Sequence, residues 1–136
     1  PVDRAALLSR LRVLLEARRV KLAMLFGSRG TGRARPDSDV DLAVIAPEED
    51  LAQLAGDLSA ALGHEVDVVS LADPPYPLLK RVVREGVPAF ESSRGAAARW
   101  RTRALLILDT DQTWYERMRR GYLDRMAEGA GAHGGR

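Results

Sequence analysis

Cysteine is absent from the 136 residues, which excludes a disulfide framework and any thiolate zinc site and fits a reducing compartment. No apolar run approaches the roughly 20 residues a membrane-spanning helix needs. The opening residues also lack the basic-then-apolar pattern of a secretory signal, so a cytoplasmic protein with no membrane partner is expected. Charge of one sign is missing too: 21 Lys and Arg stand against 19 Asp and Glu, a net charge of +2. A dedicated nucleic-acid binder more often carries a basic excess, so no direct nucleic-acid binding is expected. Aromatic residues are sparse at 5%, but an apolar fraction of 46% and a charged fraction of 29% are those of a globular protein. The length suits one domain with a real core and is short for two, and neither a repeat nor a linker divides it.

From Asp3 to Arg18 the residues Leu7, Leu8, Leu11, Leu14 and Leu15 recur at three and four, the stripe of an amphipathic helix with Asp3 as its N-cap. Val20 to Phe26 predicts a strand apolar on both faces. Three glycines and Pro36 exclude regular strand between Gly27 and Asp37, where Ser28 suits the start of a helical turn. Asp39 to Ala46 predicts the second strand, and Pro47 opens a helix from Glu48 to Leu62 capped by Gly63. His64 to Leu71 predicts a third strand, followed by a proline turn and a short helix from Leu78 to Glu85. Val87 to Glu91 then makes a short edge strand, where Pro88 is tolerable. The pattern from Arg94 to Met126 is helical with a break around Thr110 to Thr113, and the Gly/Ala-rich residues 129–136 predict a disordered tail. The expected fold is α/β (α+β by some conventions): one domain over residues 1–128, a small mixed sheet of three or four strands, and helices packed on one side.

Chemistry concentrates between Leu25 and Ile45. Residues i and i+2 of a strand point to one face, so Asp39 and Asp41 present their carboxylates side by side. Two carboxylates that close repel unless a cation sits between them, and an oxygen-rich site of this kind selects Mg²⁺ or Mn²⁺. The plainer alternative is a solvent-exposed strand start, yet Leu42 to Ile45 is apolar on both faces, which puts the acids at a strand mouth. Such mouths are where α/β sheets place ligands. Gly27 lets the chain turn sharply and lets a phosphate approach the backbone, and Ser28 adds a hydroxyl and an amide N–H; a tight turn alone is the alternative. The stretch is not a Walker A loop, since Arg33-Ala34 stand where Lys and Ser/Thr are required, nor a dinucleotide fingerprint, since Gly30-Thr31-Gly32 lacks the third glycine. Asp67, between Val66 and Val68, is either a costly buried acid that a cation or base role compensates or one of two acids, with Glu65, on a wet strand face. His64 reads as structural. The arginine clusters Arg99-Arg101-Arg103 and Arg117-Arg119-Arg120 read as solvated helix faces, with guidance of an anionic ligand or contact with an acidic partner face as the alternative.

Gly27-Ser28, ten residues, Asp39-Val40-Asp41-Leu42 and an acid on the next strand resemble the active-site signature of the DNA polymerase β-type nucleotidyltransferases. The approach Pro36-Asp37-Ser38-Asp39 and the run Glu65 to Leu71 resemble its minimal nucleotidyltransferase (MNT) branch. So do Val83-Arg84-Glu85-Gly86 and a closing helix with Leu108-Asp109-Thr110. The resemblance implies an antitoxin that transfers AMP from ATP to a tyrosine of a HEPN-domain ribonuclease toxin, in a homo- or hetero-oligomer. It implies that Gly27, Ser28 and Arg29 hold the nucleotide, and that Asp39, Asp41 and Asp67 are catalytic and bind two Mg²⁺ ions, a clamp that asks for about three carboxylates. One departure is Thr31, where many relatives carry an arginine; Arg29, Arg33 or Arg35 would substitute. Two other readings stay open: an antitoxin that blocks its toxin by binding alone, and a transferase for a small molecule such as an aminoglycoside, for which the chain is short.

Overall fold

The computed structural model describes residues 3–27, 39–110 and 112–119. Helix α1 (Arg4–Glu16) starts where Asp3 accepts the amides of Ala5 and Ala6 at 3.0 and 3.4 Å, satisfying two of the donors a helix start leaves open. Strand β1 (Leu22–Phe26) follows, then β2 (Val40–Ile45). A 3₁₀ turn at Glu48–Asp50 leads into α2 (Leu51–Leu62), which ends at Gly63 with φ +72°, the left-handed cap that glycine supplies without steric cost. Then come β3 (Val66–Ser70), α3 (Tyr76–Glu85), β4 (Val87–Glu91) and α4 (Ala96–Leu108). A turn at Asp109–Thr110 breaks the helical run, and residues 112–119 are helical again (α5). The expected break around Thr110 to Thr113 therefore falls where the chain turns.

The sheet order is β3-β2-β1-β4. β1 pairs antiparallel with β2 and with β4, while β2 and β3 run parallel, so the sheet is mixed, with four strands and β3 and β4 at its edges. The expectation of helices on one side is wrong: helices cover both faces. Ala23 and Leu25 of β1, with Val40, Leu42 and Val44 of β2, pack against Leu7, Leu11 and Leu15 of α1 and Leu54, Leu58 and Leu62 of α2. The alternate residues Leu22, Met24 and Phe26, with Ala43, pack against Leu79 and Val82 of α3, Trp100 and Ala104 of α4 and Tyr115 of α5. The physical reason is in β1, all five of whose residues are buried; a strand apolar on both faces needs cover on both.

The C-terminal aromatics divide. Trp100 and Tyr115 are core, Tyr115 donating its hydroxyl to the Pro74 carbonyl at 2.7 Å, whereas Leu105, Leu106, Trp114 and Met118 stay exposed. Arg101 reaches back from α4 to the carbonyls of Val83 and of Gly86, the latter at 2.9 Å, and so caps the C-terminal end of α3. It is a structural clamp rather than part of a solvated face. Among the described residues no helix is long and apolar enough to cross a membrane.

Candidate active site

The site forms where β1 ends and β2 and β3 begin. Because β2 and β3 are parallel and in register, Asp41 lies directly across from Asp67. Across the other edge of β2, Asp41 faces Phe26, the last residue of β1. Asp39 and Asp41 alternate with Val40, which is buried in the α1–α2 core, so both acids belong to the opposite face, the one covered by α3 and α4. The parallel register extends one step back: Val40 pairs with Val66 and donates its amide to the Glu65 carbonyl at 3.0 Å.

Asp39, Glu65 and Asp67 bring carboxylate oxygens that lie within 4.8 Å of one another, and all three are exposed. This all-oxygen set, open to water, fits a hard divalent cation that retains water or phosphate ligands. Asp67 is thus an exposed acid of an edge strand rather than one held in a buried strand middle. Glu65 joins the group beside the predicted Asp67; its signal in the sequence is the alternation of the two acids around Val66. Asp41 differs from the other three. It is partly buried, and loss of water around it pushes its carboxyl above the usual carboxylate range; Arg81 opposes the shift, and Asp67, Asp39 and Glu85 add to it.

Gly27 has φ +75°. A Cβ there would lie 2.6 Å from Asp41 Oδ2 and 3.3 Å from Arg81 Nη2, so glycine is required twice, by the left-handed backbone and by the acid packed against it. The Gly27 amide donates to Glu85 Oε1 at 3.2 Å. The same oxygen accepts Arg81 Nε at 3.2 Å, and the Arg81 Cζ lies over the Phe26 ring, 5.1 Å from its centroid. One helical i,i+4 pair, Arg81 and Glu85, therefore reaches Gly27 at the end of β1. Nothing in the sequence singles this pair out, because a charged pair before a terminal glycine is an ordinary helix feature. Ser28, Arg29, Thr31, Arg33 and Arg35 lie outside the described residues, as does the approach through Pro36 and Ser38.

Residues 11–95 match the profile of the family described as Polymerase beta, Nucleotidyltransferase. The chain is 36% identical over 72 residues to the protein adenylyltransferase MntA of Shewanella oneidensis, an alignment covering 50% of this chain and 52% of that one. The match thus spans about half the length of the curated relative. Among solved structures, a toxin–antitoxin with AMP-PNP superposes with a TM-score of 0.63 at 22% identity, covering 93% of this chain and 99% of that one. A tri-AMPylated Shewanella oneidensis HEPN toxin in complex with MNT antitoxin gives 0.62 at 21%, covering 92% and 99%. At such identities the likeness carries the fold.

Proposed function

The chain belongs to the polymerase β-type nucleotidyltransferase family, and on that premise we propose that it transfers AMP from ATP to a tyrosine hydroxyl of a HEPN-domain toxin and so neutralises it. The observation that carries this reading is the group Asp39, Glu65 and Asp67, with carboxylate oxygens within 4.8 Å of one another, and Asp41 in register across from Asp67 and packed against Gly27. The relative named as a protein adenylyltransferase and the neighbour described as an AMPylated HEPN toxin with its MNT antitoxin support the choice of substrate.

In this mechanism the toxin's hydroxyl oxygen attacks the α-phosphorus in line. A P–O bond to the toxin forms, the bond to the bridging oxygen of the β-phosphate breaks, and pyrophosphate leaves. Asp67, exposed at the rim, accepts or relays the hydroxyl proton. Asp39, Asp41 and Asp67, with Glu65 in reach, would hold Mg²⁺, which when bound neutralises charge on the attacking and leaving oxygens. Gly27 leaves room for the Asp41 carboxylate, whose Oδ2 lies 2.6 Å from where a Cβ would stand, and Ser28 and Arg29 would hold the triphosphate. The cytoplasm, where ATP, Mg²⁺ and the toxin meet, is the proposed location.

The test is incubation with ATP, Mg²⁺ and the product of the adjacent gene, followed by intact mass of both proteins. A gain of one or more AMP units on the neighbour, lost with Asp39→Asn, is expected. A stable complex with no gain in mass would replace the transferase reading with neutralisation by binding alone.

A further inference from the structure

Arg81 stands at the transferase site without belonging to the nucleotidyltransferase signature. Resting on the function proposed above, we propose that Arg81 of α3 is a phosphate contact of this site, offering its two Nη nitrogens to the polyphosphate of the bound nucleotide. The guanidinium is held from behind. Its Nε donates to Glu85 Oε1 at 3.2 Å, and its Cζ lies over the Phe26 ring, 5.1 Å from the centroid. Both contacts leave the Nη edge free, and among the described residues no acceptor takes it. That edge lies beside Gly27: Nη2 is 3.3 Å from where a Gly27 Cβ would stand, a point that is itself 2.6 Å from Asp41 Oδ2. Arg81 and Asp41 therefore lie within about 6 Å of each other, close enough for their charges to interact strongly.

The charge balance at the sheet edge gives this placement its chemistry. Asp39, Glu65 and Asp67 cluster at the start of β2 and β3, and the charges of Asp39, Asp67 and Glu85 act on Asp41. An anionic nucleotide entering that field needs protein cations as well as metal. A guanidinium offers paired donors in a plane that matches two phosphate oxygens, and the Arg81 side chain, 49% exposed, is open to a ligand. Glu85 and Phe26 restrict its rotamers before the nucleotide arrives, so less conformational entropy is lost on contact.

The experiment measures binding of AMP-PNP with Mg²⁺, and of AMP, to the wild-type chain and to Arg81→Met and Arg81→Lys, with unfolding midpoints recorded alongside. Arg81→Met is expected to weaken AMP-PNP by about 10- to 100-fold, the weight of charge-assisted hydrogen bonds. AMP is expected to change far less, and Arg81→Lys to recover part of the loss. AMP-PNP binding at wild-type strength by Arg81→Met would overturn the assignment while leaving the transferase reading in place. Equal losses for AMP-PNP and AMP would overturn it as well, since they mark a structural role. A wild-type chain that binds no AMP-PNP would bring down both the functional reading and the assignment.

Discussion

Replacing Gly27 with alanine tests the central geometry of the site, because two separable costs meet at one Cβ. The backbone cost comes from φ +75°, a left-handed conformation that penalises an L-residue by about 1–2 kcal/mol. The contact cost comes from the Asp41 carboxylate oxygen 2.6 Å from the new Cβ. To clear it, Asp41 must leave its rotamer, at about 0.5–1.5 kcal/mol. Together Gly27→Ala is expected to lower stability by about 2–3 kcal/mol, which for a chain of this size lowers the midpoint by about 6–15 °C. Urea denaturation of four proteins separates the costs: wild type, Gly27→Ala, Asp41→Ala and the double variant. With the carboxylate gone only the backbone cost remains, so the alanine should cost about 1 kcal/mol less in the Asp41→Ala background. Transfer of AMP by Gly27→Ala should fall about 100-fold, the scale of a displaced catalytic group. An alanine tolerated within about 0.5 kcal/mol, or one equally costly in both backgrounds, would refute the argument that Gly27 is fixed by Asp41.

Asp39→Asn and Asp67→Asn should each abolish transfer while leaving the unfolding midpoint within about 2 °C, because both side chains are exposed; a midpoint that collapses would make the acids structural. Asp41→Asn should raise the midpoint in metal-free buffer while abolishing transfer. Burial lifts the Asp41 carboxyl above its unfolded value, so its ionised form opposes folding at neutral pH; calorimetry in EDTA showing no rise would count against this. Asp73 supplies a pH dependence: burial lifts it too, against the pull of Arg119. A raised folded pKa means stability present below the ordinary carboxylate value and lost as pH rises through the lifted one. Denaturation curves of Asp73→Asn should therefore decline less across the mildly acidic range than those of wild type, and parallel curves would refute it. Arg101→Met should cost about 1.5–3 kcal/mol through the lost bonds to the carbonyls of Val83 and Gly86, with no loss of nucleotide binding by the folded protein.

Local chemistry alone determined much of this protein. The leucine spacing after Asp3, the Gly63 cap and the alternation of Asp39 with Asp41 act over a few residues, and each is found where its pattern predicts. The two-faced burial of β1 was also written in its unbroken apolar run, and it required the helices on both faces that a one-sided arrangement denies. Tertiary structure decided what depends on which strands become neighbours. Asp67 stands across from Asp41 because β2 and β3 pair parallel and in register, and Glu65 joins Asp39 and Asp67 for the same reason. β3 took an edge position, which leaves its acids in water rather than among the valines that flank them in sequence. The packing of α3 against the end of β1 brings Arg81 and Glu85 to Gly27, a contact between residues 58 positions apart. It also sends Arg101 to the end of α3 rather than to solvent. Residues far apart in the chain meet only when sheet order and helix packing are set, so their partnership has no periodic trace in the sequence.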